Sequence, residues 1–147
     1  MIVRPAALSD LGPAILMSRH FHKASGVEWR FETEKTRAFL RQFIASPDTL
    51  CLVVERDGVA LGMFGASFND HMFFTGKVAM VWGLWLEPEI RKTSAFREIL
   101  RAFEAECGRR QVRMAVFAAQ VKTPRIGRLF ERLGFRPAET HYVRMFG

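Results

Sequence analysis

In 147 residues the chain has one tyrosine, Tyr142, and two cysteines, Cys51 and Cys107. A single phenol leaves one candidate for any tyrosine acid. Two cysteines without paired metal-ligand spacing exclude a thiolate metal site and a disulfide framework. Both fall inside predicted regular elements and read as small buried hydrophobes of a reducing compartment. No apolar run approaches the ~20 residues that a membrane-spanning helix needs. Behind Met1-Ile2-Val3-Arg4-Pro5 there is no apolar stretch, so no secretory signal is expected and a cytoplasmic location is. Repeats, low-complexity tracts and linker-like segments are lacking too, and the length suits one domain, 1–147, with a core of its own.

Hydrophobic residues make up 49% and charged residues 25%, the profile of a soluble globular protein. The aromatics are fourteen Phe and three Trp beside the lone Tyr. The net charge of +7 is unevenly placed: residues 1–107 carry 13 Lys+Arg and 13 Asp+Glu, whereas residues 108–147 carry nine Lys+Arg against Glu131 and Glu139. A neutral body with a basic C-terminal quarter suggests an anionic partner there, a phosphorylated cofactor or a nucleic acid.

Periodicity predicts the elements in order. Ile2–Ala6 reads as a short strand ended by proline, and Ser9 and Asp10 offer N-cap oxygens to a helix with Leu11, Ile15, Leu16 and Phe21 on its apolar side. Gly26 stops it. A second helix opens near Thr33 with Ala38, Phe39, Phe43 and Ile44 as its stripe, and Ser46-Pro47-Asp48 ends it. Thr49–Glu55 and Val59–Phe68 read as two strands joined by Arg56-Asp57-Gly58, with Gly62 and Gly65 leaving room for another backbone or a ligand. Lys77–Leu86 is apolar at nearly every position, as expected of a central strand. Ala95–Arg110 is a two-faced helix, Val112–Ala119 a strand, and Pro124–Leu133 a helix stopped by Gly134. Phe135 and Thr140–Phe146 supply the last strands, giving β-α-α-β-β-β-α-β-α-β: an α/β sheet of mixed direction.

The segment richest in chemistry is Leu84-Trp85-Leu86-Glu87-Pro88-Glu89-Ile90-Arg91-Lys92-Thr93-Ser94-Ala95-Phe96. A buried strand delivers a short basic turn to a helix N-terminus, where unpaired N–H groups and the helix dipole attract an anion. Arg91 and Lys92 add full charges, and Thr93 and Ser94 add hydroxyl donors. Ser94 also suits a plain N-cap.

These residues resemble the strand and arginine that open the acyl-CoA signature of GNAT acetyltransferases, which runs Arg/Gln-x-x-Gly-x-Gly/Ala into a helix. Arg128-Leu129-Phe130-Glu131-Arg132-Leu133-Gly134-Phe135 is similar to the family's C-terminal helix and its ending. Ile2–Ala6 with Ser9-Asp10-Leu11 is similar to a common start. The resemblance covers the chain in order and is closest to short members often carried by bacteriophages. It implies a mixed sheet of six to seven strands flanked by about four helices, with central parallel strands splayed around Leu84–Leu86 and Val116–Ala118. It implies an N-acetyltransferase that moves an acetyl group from acetyl-CoA to a primary amine by direct attack in a ternary complex. Main chain near Trp85 or Leu86 would meet the thioester oxygen, and Arg91, Lys92, Thr93, Ser94, Ala95, Phe96 and Arg128 the phosphates.

The sequence departs from the pattern at Ser94 and Phe96, which replace the two glycines, at Phe130, where the family often has a tyrosine acid, and at Thr123, which replaces an asparagine. Candidate proton carriers are Glu87 at the strand end, which also reads as a solvated turn residue, His71 beside Asp70 in the loop before that strand, which also reads as a surface histidine, and Tyr142, which also reads as a packing residue at the sheet edge; His141 stands next to it. Trp29, Phe31, Phe73 and Phe74 either frame the acceptor or close the core. His20 and His22, two apart on one helix, point about 200° away from each other and make no metal site. A second reading, a weak or inactive binding module associated with protein or nucleic acid, rests on the missing glycines, Phe130 at the tyrosine position and the basic quarter. Against it, Arg125, Arg128, Arg132 and Arg136 are spaced as one helix face that suits the phosphates of CoA instead. The acceptor and the oligomeric state, monomer or homodimer, are not legible.

Overall fold

Two residues set the register of the hairpin at the heart of the sheet. Asp57 and Gly58 adopt positive φ of 53° and 77°, the backbone that a two-residue turn needs to match strand twist. They join Thr49–Arg56 (β2) to Val59–Asp70 (β3), with Arg56 opposite Val59. In the computed structural model, which describes residues 1–147, the chain forms two compact units, 1–116 and 117–147.

In the first unit Ile2–Pro5 (β1) lies antiparallel to β2, Lys77–Leu86 (β4) antiparallel to β3, and Val112–Val116 (β5) parallel to β4. The sheet order is β1-β2-β3-β4-β5. Leu11–Ser25 (α1) and Thr33–Ala45 (α2) pack on each other and on β2, β3 and β4, while Ala95–Arg109 (α3) packs on β1, β2, β4 and β5. Adjacent residues of one strand separate the two layers. Phe64 meets Phe103 of α3 at 5.1 Å, whereas a side chain at Gly65 would point at Phe43 of α2. Successive strand residues face opposite sides, so the sheet lies between α1/α2 and α3.

A part-buried clamp ties β1 to the start of α1. The Arg4 guanidinium donates to both Asp10 oxygens at 2.8 and 3.0 Å and to Glu55 of β2 at 2.8 Å, and the Ala7 N–H donates to Asp10 Oδ2 at 2.7 Å. Asp10 therefore turns back on the strand–helix connection instead of capping α1 forwards. The Arg4 hydrogen bond, helped by the Ala7 N–H and opposed by burial, holds the Asp10 carboxyl below the ordinary carboxylate range, and the same pairing raises Arg4.

The space at Gly62 is filled by side chains, not by a ligand or another backbone. A Cβ there would sit 2.7 Å from Leu86 Cδ2 and 3.1 Å from Val54 Cβ. Gly62→Ala is expected to lower stability by about 1 kcal/mol in urea unfolding; an unchanged or raised midpoint would show that Leu86 gives way freely.

The second unit holds Pro124–Arg132 (α4), with Pro124 at its first turn and Gly134 (φ +91°) beyond its end. The expected strands at Phe135 and Thr140–Phe146 do not form, so the sheet has five strands instead of six or seven. Phe135 packs instead against Phe117 and Phe130, at 5.0 and 5.9 Å. Tyr142, Val143 and Phe146 are exposed, Tyr142 at 92%, so it is no packing residue of a sheet edge. An alternating pattern cannot make a strand without a partner ladder. Arg136 lies past the end of α4 and is not on the helix face with Arg125, Arg128 and Arg132. Part of the basic quarter is structural: Arg109 and Arg110 pair with Glu106 on α3, and the Arg113 guanidinium covers the Phe74 ring at 5.3 Å. No helix is long and apolar enough to cross a membrane.

Candidate active site

The turn from β4 to α3 is pinned at two buried points, Ile90 and Ala95, with Arg91, Lys92, Thr93 and Ser94 exposed between them. The hydroxyls are not presented outwards as expected. Thr93 Oγ1 donates to Ile90 O at 2.6 Å and accepts the Ala95 N–H at 3.2 Å, so its hydroxyl is engaged inside the turn. Ser94 Oγ donates to Glu98 Oε1 at 3.0 Å. What faces an anion here is the pair of unpaired N–H groups of Phe96 and Arg97 together with Lys92, which has no ion-pair partner. These N–H groups need no glycine, since a helical backbone accepts Ser94 and Phe96.

Arg91 is held by the strand it follows. Its Nε donates to Leu86 O at 2.8 Å, and its guanidinium lies 4.8 Å from the Trp85 ring centroid. That Leu86 carbonyl belongs to an open edge. β4 pairs with β5 only from Lys77 to Met80, whereas its pairing with β3 runs on to Leu86. The Glu87 N–H donates to Leu61 O on the β3 side, at 2.8 Å. By the period of two, the backbone groups of Trp85 also turn to β3 and those of Leu84 and Leu86 turn to the open side. Of the two residues expected to meet a thioester oxygen, Leu86 has this orientation and Trp85 does not.

Glu87, expected as a solvated turn residue or a base, is largely buried and paired. His20 of α1 stands 2.7 Å from it, Nδ1 to Oε1. A carboxylate only accepts, so Nδ1 carries the proton and Nε2 is left as the basic nitrogen of the neutral ring. Sequence reasoning missed His20. The signal was its place one turn beyond buried Met17 on α1, but only the fold brings it to the end of β4. His22 instead donates to Trp29 O at 2.6 Å.

His71 lies at the other end of β4, roughly 30 Å along a ten-residue strand. Its ring stacks on Phe74 at 4.2 Å and its Nδ1 accepts the Phe73 N–H, while Asp70 pairs with Lys77. The structure therefore does not gather His71 and Glu87 into one site. Tyr142 and Arg128 belong to the second unit; Arg128 is exposed on α4. Phe130, at the position of the family's tyrosine acid, packs in a cluster of three mutually contacting rings with Phe117 and Phe135.

Beside Trp85 the α1/α2 face of the sheet is hollowed into an apolar cleft of about 180 Å³. Gly65 and Gly83 are directly opposed across β3 and β4 and form its floor. A bulge leaves Trp82 without a cross-strand partner, between Val81 opposite Ala66 and Gly83 opposite Gly65. That extra residue turns Trp82 to the same face, where it meets Phe39 at 5.8 Å and Phe43 at 6.4 Å. Trp85, against Phe21 at 6.3 Å and His20 at 6.2 Å, is the opposite wall. Its indole Nε1 is buried without a hydrogen-bond partner, a cost that native folds seldom carry away from working sites. Cys51 also lines the cleft, and burial pushes its thiol up to about 11, so it is no nucleophile at neutral pH. The loop aromatics play no part in the lining. Phe31 packs on the α1/α2 core, and Trp29 and Phe73 are exposed.

Residues 16–135 match the family model described as Acetyltransferase (GNAT) family. No curated protein matches the chain in sequence. Among solved structures, the chain is similar to a possible acetyltransferase from Clostridium difficile 630, with TM-score 0.83 and 10% identity over 99% of this chain and 97% of that one. It is also similar to an aminoglycoside antibiotic 6′-N-acetyltransferase from Acinetobacter baumannii, with TM-score 0.78 and 18% identity over 99% of both chains. An aminoglycoside N-acetyltransferase in complex with CoA superposes with TM-score 0.82 and 15% identity, over 99% of this chain and 93% of that one. At such identities the structural likeness concerns the fold.

Proposed function

Because the chain belongs to the GNAT acetyltransferase family, we propose that it is an N-acetyltransferase that uses acetyl-CoA and a primary amine in a ternary complex. The observation that carries this reading is the convergence on Trp85. The basic turn, the open edge of β4, the His20–Glu87 pair and the apolar cleft all adjoin that one residue. The family match runs through both compact units, which supports one acyltransferase domain over 1–147.

The residues present fit the co-substrate. Lys92, Arg91 and the N–H groups of Phe96 and Arg97 suit its pyrophosphate, and the open backbone groups of Leu84 with the Leu86 N–H suit an extended amide-bearing arm lying along β4, the Leu86 carbonyl being held by Arg91. The Ala95 N–H is already donated to Thr93 Oγ1, so it adds no phosphate contact. Bound acetyl-CoA supplies an activated acyl group on a thiol leaving group. The Leu86 N–H would donate to the thioester carbonyl oxygen as negative charge grows there. His20 Nε2 accepts the proton that the attacking amine sheds as its C–N bond forms, with Glu87 holding the ring in that tautomer. The C–S bond breaks as the acetyl group transfers, and with Phe130 in place of a tyrosine the thiolate takes its proton from solvent. Neither cysteine forms an acyl-enzyme, since burial also raises the Cys107 thiol to about 11.

Calorimetric titration with acetyl-CoA tests the reading. Saturable binding is expected in the wild type, with Arg91→Ala weakening it about tenfold through loss of one charged contact. If millimolar acetyl-CoA gives neither heat nor a thermal shift, the enzyme reading falls, and a binding module that has lost CoA takes its place.

A further inference from the structure

We infer that the amine acceptor is a small arylalkylamine, with one aromatic ring seated between Trp82 and Trp85 over the Gly65–Gly83 floor. The inference rests on the acetyltransferase reading and names the substrate class of its site.

The shape of the cleft selects a flat apolar group. Its two indole walls stand three residues apart on β4, and the floor between them is bare because both cross-strand partners are glycines. Opposed residues point to the same face. A Cβ at Gly65 would meet the Phe43 ring at 3.2 Å, whereas one at Gly83 would meet nothing within 4 Å. Gly83 thus opens directly into the hollow. The cleft's volume of about 180 Å³ suits one ring with a short chain, since an apolar protein cavity of roughly 150 Å³ binds benzene.

Charge narrows the class further. No charged side chain lines the cleft, and its polar lining residues are Ser18, Thr36 and Cys51. A polycation would bury several ammonium groups with no carboxylate to receive them. One amine is accommodated at the Trp85 end, where His20 stands 6.2 Å from the indole with Nε2 as proton acceptor.

Titration calorimetry of the full chain with 2-phenylethylamine and with spermidine, each with and without saturating CoA, provides the test. Saturable binding of 2-phenylethylamine is expected, about tenfold tighter than spermidine or better. Gly83→Leu, which plugs the slot from an ordinary strand position, and Trp82→Ala, which removes one wall, should each weaken it by about tenfold. If Gly83→Leu fails to fold, Trp82→Ala decides, because that ring is 61% exposed and outside the core. The inference is overturned if spermidine binds as tightly, if 2-phenylethylamine gives no heat, or if a folded variant binds it as the wild type does. Binding of CoA without 2-phenylethylamine sinks the substrate class alone; binding of neither sinks the acetyltransferase reading as well.

Discussion

Replacing His20 with alanine is expected to lower kcat about 100-fold while leaving acetyl-CoA affinity unchanged, the scale that a general base contributes. The reasoning starts from the 2.7 Å contact between His20 Nδ1 and Glu87. That contact commits one ring nitrogen as donor and leaves the other basic. Glu87 acts through His20 and is a positioning residue, so Glu87→Gln should cost less, about tenfold: glutamine's amide oxygen still accepts the Nδ1 proton but lacks the charge that stabilises an imidazolium. Imidazole added to the His20→Ala protein should restore part of kcat, which a purely structural role for His20 does not allow. A kcat within about threefold of wild type would remove His20 from the proton path. His71 serves as the control at the far end of β4, and His71→Ala is expected to leave kcat and KM unaltered.

Removing the Asp10 carboxylate is expected to lower stability at neutral pH by about 2–3 kcal/mol, measured by urea unfolding of Asp10→Ala. Three donated hydrogen bonds converge on this buried group, two from Arg4 and one from the Ala7 N–H. Deleting it leaves the Arg4 guanidinium with Glu55 and the Pro5 carbonyl. The pH dependence follows from direction. The folded protein holds Asp10 below the ordinary carboxylate range, so its contribution is complete above the unfolded value near ~4 and is lost as pH falls further. The stability gap between wild type and Asp10→Ala should therefore be constant from pH 7 to about 5 and close below about 4. A gap that stays constant down to pH 3 would show that the carboxylate's charge contributes nothing.

Local signals carried most of the first unit. The Asp57-Gly58 turn, the alternation through β2 and β3, the apolar run of β4 and the two-faced pattern of α3 each belong to one short window, and each formed where its pattern lay. The last strands failed for the opposite reason: a strand exists only with a ladder partner, and Thr140–Phe146 has none, while Phe135 satisfies its apolar ring in the Phe117–Phe130 cluster. The hydroxyls of Thr93 and Ser94 were read as anion donors by residue type. In the fold their nearest acceptors are Ile90 O and Glu98, which take them first.

By itself, then, the sequence determined the family, the order of the elements through β5 and α4, and the basic turn at Arg91–Phe96, because these rest on spacing within a few residues along the chain. The tertiary structure decided the rest. It brought His20 of α1 onto Glu87, turned Leu84 and Leu86 to an open edge by ending the β5 ladder at Met80, and set Gly65 against Gly83 beside a bulge at Trp82. Each of these depends on strand register or on helix-to-sheet packing between residues as many as 67 positions apart, and no local pattern encodes such pairings. The basic turn proposed for the phosphates was written in one segment; the groups proposed to move the proton and choose the amine were assembled from α1, α2, β3 and β4.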